Sequence, residues 1–364
     1  MSRGATGECL PNSNQVRSLL ISTPSQHKAP ARSETAAANP EQTGPIDRRA
    51  IPADARESTW AAADGHVLRR IDWPGRVSPG DTPRGSILFM PGRGDNYEKY
   101  LESLEEWHRA GWRVTAADWR GQAGSGRLAG DAVTGHIDDF STWTDDLAGF
   151  WRDWTAKTPG PHVLSGHSMG GHVIMRALVD GKLGGDFTPD AVFLSAPMLG
   201  MNGPPLPLPM LHGAAKLMNF VGDPLRQAWK WSEKPGELPA GRAELLTHDL
   251  DRYSDEAWWR GARPELVMGP ASWHWVERAY ASWRVLEAPG ALEAVDVPVL
   301  IISASTDKLV SHAANVRGAQ RLPNGRLMEF GEEAHHEILR EVDEVRSAVM
   351  DGIAAFLDEV APPK

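Results

Sequence analysis

Short apolar runs alternate with longer helix-like segments along most of this chain from about Ile46 onward. Ser58-Thr59-Trp60-Ala61 and His66-Val67-Leu68-Arg69-Arg70-Ile71 flank Asp64-Gly65, the signature of a β-hairpin. Beyond it, Ser86–Met90, Trp112–Asp118, Pro161–Gly166, Ala191–Ser195, Val297–Ser303 and Arg326–Phe330 read as buried strands. Tyr97–Ala110, Thr142–Trp154, His172–Val179 and Val342–Val360 read as the helices between and after them. Strands alternating with helices predict crossover units, hence an α/β fold with a mainly parallel sheet covered on both faces.

The alternation fails at two places. Residues 1–45 are rich in Ser, Pro, Ala, Gln and Asn without apolar periodicity, so they read as a disordered extension unable to offset its chain entropy. Between Gly200 and Ala288 a proline-rich opening (Pro204-Pro205-Leu206-Pro207-Leu208-Pro209) leads into helical sequence with no good strand. This stretch is expected to be a helical cap inserted between two strands. The expected organisation is therefore 1–45 extension, 46–199 core, 200–288 Trp-rich cap, and 289–364 core again. The chain shows no internal repeat.

Composition narrows the function classes. With 364 residues the chain suffices for one large α/β domain with an insertion, or for two ordinary domains. A formal net charge of −10 makes it a poor candidate for nucleic-acid binding. No stretch approaches the roughly 18 apolar residues that would span a bilayer. The N-terminus builds no apolar secretory run, and Cys9 is the only cysteine, so no intrachain disulfide can form. A cytoplasmic location is expected, with any membrane contact peripheral to the inner membrane. Oligomeric state is not legible.

Gly166-His167-Ser168-Met169-Gly170 matches Gly-x-Ser-x-Gly. Alone the match is weak, since about 0.2 such pentapeptides are expected by chance at this glycine and serine content. Its setting strengthens it: the motif directly follows an apolar strand and opens a helical segment, as a strained nucleophile elbow requires. Gly166 and Gly170 are needed there because the turn is tight. A serine hydroxyl needs a base to take its proton, and the expected order is Ser, Asp, His. Asp307 follows the strand after the insertion, and His335-His336 follow the last strand. Loops at the C-terminal ends of parallel strands converge on one edge, where Ser168, Asp307 and His336 can meet. His336 is favoured over His335 because Glu337-Ile338-Leu339 reads as the start of the terminal helix. The backbone N–H of Met169 and that of Arg93, in Pro91-Gly92-Arg93-Gly94-Asp95-Asn96, are the candidate oxyanion donors. The sequence lacks His-Glu-x-x-His, so no metal site is expected, and the chemistry calls for no cofactor.

Phe89-Met90-Pro91-Gly92-Arg93, Asp118-Trp119-Arg120-Gly121-Gln122-Ala123-Gly124-Ser125-Gly126-Arg127 and Gly166–Gly171 together resemble bacterial lysophospholipases. These are relatives of monoacylglycerol lipases and of serine-aminopeptidase-like hydrolases. Gly135-His136-Ile137, Leu246-Thr247-His248 and Ala334-His335-His336-Glu337-Ile338 fit the same branch. The resemblance spans about Ile46 to the C-terminus and implies an α/β-hydrolase fold, with His336 as the base. Many relatives carry His-Gly in the oxyanion loop; Pro91-Gly92-Arg93 is the lysophospholipase-like form. The first 45 residues have no counterpart.

What the resemblance implies is a carboxylic-ester hydrolase acting through an acyl-enzyme on a lysophospholipid or monoacylglycerol. Trp229, Trp231, Trp258, Trp259, Trp273, Trp275 and Trp283, with Met198, Met201, Met210 and Met218, would line an acyl tunnel, meet a lipid interface, or simply pack the cap. Arg93 and Arg127 would pair with a phosphate head group or serve as structural charges. A small-ester esterase or proline-type aminopeptidase would use the same triad. The latter needs acids for an α-amino group, for which Glu237, Glu244, Asp249, Asp251, Asp255 and Glu256 are available. A non-catalytic binding protein on the same fold is the last alternative.

Overall fold

The computed structural model describes residues 18–19, 44–74, 83–203, 206–230 and 240–363. Most of the N-terminal extension, Cys9, Pro204-Pro205, Trp231 and Glu237 lie outside the described residues. A nine-stranded sheet runs in the order β1-β9-β8-β7-β6-β4-β5-β3-β2. Its centre consists of β4 (Ser86–Met90), β5 (Arg113–Ala117), β6 (His162–His167), β7 (Ala191–Ser195), β8 (Val299–Ala304) and β9 (Gly325–Phe330), all parallel. The expected hairpin forms one end: β2 (Arg56–Ala61) and β3 (Val67–Trp73) pair antiparallel, and β3 pairs antiparallel with β5. At the other end β1 (Ser18–Leu19), from the segment expected to be disordered, pairs parallel with β9.

Every residue of β4, β7 and β8 is buried, as apolar strands covered on both faces must be. The connecting helices are α1 (Leu101–Arg109), α2 (Phe140–Thr155), α3 (Met169–Val179), α8 (His312–Arg321) and α9 (Asp343–Val360). Three helical details differ from the sequence reading, the first being that the helix expected from Tyr97 opens as a 3₁₀ turn, Tyr97–Tyr100, before α1. Helix α8 was not expected; its apolar content is low, and its start is fixed instead by Ser311, whose side chain accepts from the Ala314 N–H. Ile338–Arg340 is a separate 3₁₀ turn rather than the first turn of the terminal helix, which begins at Asp343.

Between β7 and β8 the chain leaves the sheet and forms α4 (Leu208–Phe220), α5 (Ala240–Leu246), α6 (Leu250–Ala262) and α7 (Trp273–Leu286). Helix α7 anchors this region: Trp283 is buried and donates its Nε1–H to the Met198 carbonyl at 2.7 Å. The segment after α6 is tied to the core by Gly135, whose N–H reaches the Pro270 carbonyl at 2.9 Å, and by Arg127. The Arg127 guanidinium donates to the carbonyls of Ala123, Gly126, Glu265 and Val267. Its role is structural, and the head-group reading of Arg127 is abandoned.

Candidate active site

Strand order changes direction at β4, which has β5 on one side and β6 on the other. Such a switch point opens a crevice at the C-terminal strand ends. Register pairs Met90 with Gly166 there, so the loop after β4 and the turn after β6 leave the sheet side by side.

Ser168 sits between β6 and α3 with φ +50°, a left-handed conformation that is costly for a residue with a Cβ. Close packing enforces it. A Cβ on Gly170 would lie 2.3 Å from the Met90 carbonyl oxygen, and one on Gly166 2.8 Å from the Gly170 carbonyl carbon. The Ser168 N–H bonds the Ser195 carbonyl at 3.0 Å, and its own carbonyl accepts from Met198 and His172. The serine is therefore held rigidly at the N-terminus of α3. Met169, the first helical residue, has an N–H that precedes the i→i−4 ladder, where a helix presents donors to an anion.

His336 reaches this serine. Its Nε2 lies 3.0 Å from Ser168 Oγ, and its Nδ1 lies 2.7 Å from Asp307 Oδ2. The second carboxylate oxygen, Oδ1, accepts from the N–H groups of Leu309 and Val310 at 2.7 and 3.0 Å. Burial would raise the Asp307 carboxyl, but His336 and these donors hold it below its ordinary value. Burial is the largest influence on His336 and opposes its charge, yet Asp307 together with Glu337 and Asp95 raises the imidazole above its usual value. His335 turns away: its ring stacks on His248 at 3.8 Å, and its N–H donates to Glu341.

The loop after β4 packs against the elbow. A Cβ on Gly92 would stand 2.8 Å from Asp95 Oδ2, 3.1 Å from the His167 ring and 3.2 Å from the Ser168 Cβ, so the glycine leaves room for these side chains against the loop. Trp119 donates to the Pro91 carbonyl at 2.8 Å, and Gln122 accepts from the Gly94 N–H at 2.6 Å. The Asp118–Arg127 segment thus braces the loop carrying Arg93. The Arg93 side chain donates to the Gly269 carbonyl, with its guanidinium 5.2 Å from the Trp229 ring and 5.5 Å from that of Trp275.

His167 is buried beside the site, its ring centroid 4.8 Å from that of His336. Burial, with the neighbouring His336 charge, pushes its imidazole down to about 4, so it stays neutral at working pH.

Above Ser168 opens a cavity of about 900 Å³. Its walls include Met198, Leu211, Met218, Trp229, Trp275 and Trp283. Of the other residues singled out in sequence, Met201 and Trp273 also line it. Trp259 is buried and donates to the Arg48 carbonyl, whereas Trp258 and Met210 are exposed. Three of the cap acids are engaged with arginines, while Glu244 and Asp251 are exposed. Asp249 caps α6 and pairs with Arg252, Asp255 pairs with Arg48 and Arg49, and Glu256 is buried against Arg242 and Arg260. Among the described residues no group of three or more His, Cys, Asp or Glu is arranged to hold a metal, and no helix is long and apolar enough to cross a membrane.

Sequence reasoning missed a buried ionic group beneath this site: Asp95, Lys99, Glu337 and Arg340. Its two local signals were the i,i+4 spacing of Asp95 and Lys99 and the i,i+3 spacing of Glu337 and Arg340.

A parallel sheet with a strained Ser elbow, an inserted helical region and an acid and histidine on later strand-end loops defines an α/β hydrolase. The sequence model described as "Serine aminopeptidase, S33" matches residues 81–343, and the chain belongs to that family. It is 28% identical to lysophospholipase L2 of Escherichia coli K12 over 76% of this chain and 81% of that protein. It is 26% identical to a probable lysophospholipase L2 of Haemophilus influenzae, over 78% and 86%. Among solved structures, a soluble variant of monoglyceride lipase from Saccharomyces cerevisiae bound to a substrate analogue matches with a TM-score of 0.66. That match has 17% identity, over 88% of this chain and 99% of that one.

Proposed function

We propose that the protein hydrolyses the carboxylic ester of a single-chain lipid, a lysophospholipid or a monoacylglycerol, through an acyl-enzyme on Ser168. The observation that carries this reading is the Ser168–His336–Asp307 chain of contacts at 3.0 and 2.7 Å, opening into a cavity walled by methionine, leucine and tryptophan. A cavity of this size falls within the range that takes a lipid-sized ligand.

Ser168 Oγ attacks the ester carbonyl carbon while its proton passes to His336 Nε2. Asp307 holds the Nδ1–H tautomer and stabilises the imidazolium. The N–H groups of Met169 and Arg93 receive the developing oxyanion. His336 then protonates the leaving alcohol, and the acyl group remains on Ser168. The same histidine activates a water molecule, which releases the fatty acid and restores the serine.

The lipid substrate accords with the curated lysophospholipase relatives and with an exposed apolar face. Leu217, Phe220 and Val221 are exposed beside Met218 and Trp229, which line the cavity. This face is proposed to sit on a lipid surface, with the protein cytoplasmic and peripheral to the inner membrane. The aminopeptidase reading loses ground because Asp249, Asp255 and Glu256 are already paired with arginines.

The test is fatty-acid release from a lysophospholipid and from a monoacylglycerol. Release by the wild type, reduced at least ~10³-fold in Ser168→Ala, is the expected result. Release from neither lipid, with Ser168 still labelled by a fluorophosphonate, would overturn the lipid assignment and leave the nucleophile standing.

A further inference from the structure

Beneath the triad lies a charged web that the chemistry above does not use. Lys99, in the 3₁₀ turn Tyr97–Tyr100 before α1, has a side chain only 1% exposed. Its Nζ lies 2.5 Å from Asp95 Oδ1, bonds Glu337 Oε1, and stands 3.4 Å from Glu256 Oε2. Each acid belongs to a different part of the site. Asp95 is in the loop that carries Arg93, Glu337 directly follows His336, and Glu256 is on α6 of the inserted region. One ammonium therefore joins the oxyanion loop, the histidine loop and the cap.

The surroundings complete the web. Tyr100 donates to Asp95 Oδ2 at 2.9 Å, and His167 Nε2 stands 3.8 Å from the same atom. Arg340 pairs with Glu337, while Arg242 and Arg260 pair with Glu256. Burial opposes ionisation of Glu337, but Lys99 and Arg340 hold its carboxyl at about 2. Taking this many charges out of water is expensive, and apolar residues of the same volume would often hold a fold as well. What apolar residues could not do is set the field at the base. His336 is faced by Asp307, Ser168, His167, Asp95 and Glu337, and the three carboxylates all favour its protonated form.

We infer that Lys99 is a positioning residue for the reaction: it fixes the separation of the oxyanion and histidine loops and offsets the carboxylates of Asp95 and Glu337 that face His336. The inference rests on the triad reading above. Removing the ammonium leaves two buried carboxylates drawing a proton onto the base and no longer held together.

The experiment compares wild type, Lys99→Met, Glu337→Gln and the double variant Lys99→Met/Glu337→Gln. Each is titrated for active sites with a fluorophosphonate, then assayed on a soluble short-chain ester as a function of pH. Lys99→Met is expected to lower kcat by about 30- to 100-fold per labelled site with KM within about threefold. The acidic limb of its kcat/KM profile moves up by about half a pH unit or more. Glu337→Gln loses the charge and keeps one acceptor oxygen, enough for Lys99 or Arg340 but not both, so its limb moves down. The double variant returns the limb toward wild type. Should Lys99→Met yield no folded protein, Glu337→Gln decides alone. A limb unmoved in every folded variant overturns the inference, as does a loss confined to KM. A wild type that the probe does not label overturns the triad reading, and this inference with it.

Discussion

Gly170→Ala tests whether the elbow and the oxyanion loop act as one unit. The new Cβ would lie 2.3 Å from the Met90 carbonyl oxygen and 2.5 Å from that of Pro91. Tolerated contacts at such a carbon begin near 3.0 Å, so one partner must move by about 0.7 Å. Both obstacles are backbone, and Met90 is fixed in register opposite Gly166, so no side-chain rotation relieves the clash. Overpacking of this kind costs about 1–3 kcal/mol, less up to ~1 kcal/mol regained from the better helix propensity of alanine. Thermal midpoint should therefore fall by only a few degrees, at roughly 2 °C per kcal/mol. Catalysis should suffer more. Arg93 is two residues beyond Pro91, and a displacement near 1 Å at a reacting centre costs on the order of 10² in rate. Short-ester hydrolysis per active site, alongside a thermal melt, separates the two effects. Gly261→Ala, where the added carbon meets nothing within 4 Å, is the control. A folded Gly170→Ala enzyme with kcat/KM within threefold of wild type would refute the coupling of elbow and loop.

Asp307→Asn removes the nearest of the three carboxylates that together outweigh burial at His336, so its imidazole pKa falls and the acidic limb of kcat/KM shifts to lower pH; kcat should drop by about 10⁴, as a wrongly held tautomer dictates. A steady-state pH series checks both, and an unmoved limb would show that Asp307 does not face the base in solution. Stability should fall as pH drops from 6 to 4.5. Burial holds His167 near 4 and His172 near 3, against an ordinary 6.5, so the unfolded chain binds more protons throughout that window and each histidine's contribution is lost on acidification. Two such groups give a slope of about 2–3 kcal/mol per pH unit, readable from urea midpoints; a flat profile would contradict their burial as neutral rings. Phe220→Ser, in the exposed face beside the cavity mouth, should weaken binding to lipid vesicles about tenfold without altering short-ester kcat. Unchanged vesicle binding would remove that face from the proposed lipid contact.

The parts of this fold that could be read in advance are those whose signal is local. Apolar strands such as Ile87–Met90 and Val192–Leu194 announce themselves because both faces must be buried. Asp64-Gly65 marks its hairpin by turn chemistry, and Gly166–Gly170 is legible because glycine spacing is itself the constraint. Helix α8 escaped because its polar sequence is organised by the Ser311 cap and by what it packs on. The 3₁₀ turn at Ile338–Arg340 looked like helix because Glu337-Ile338-Leu339 has helical composition; in the structure Glu337 instead faces Lys99, 238 residues away in the chain. Arg127 and the acids of α6 were open to several readings for the same reason. The partners that decide Arg127 and Asp255, namely Glu265 and Val267 for the first and Arg48 and Arg49 for the second, lie far off in sequence, whereas Asp249–Arg252 and Glu256–Arg260 carried a local i,i+3 and i,i+4 signal.

The insertion point of α4 to α7 separates the chain into a segment bearing Ser168 and a segment bearing Asp307 and His336. The two are rejoined by the β7–β8 ladder, from Val192 opposite Val299 to Ser195 opposite Ile302. That ladder does not depend on how many residues lie between its strands. In evolutionary terms α4, which lines the cavity, is the exchangeable part: it can change length and lining while the ladder keeps the reacting groups aligned, whereas α5 and α6 are tied to the histidine loop through Leu246 and Glu256. A lineage can therefore explore new substrates while its bond-breaking machinery stays fixed, and divergence among relatives should concentrate in residues 208–220.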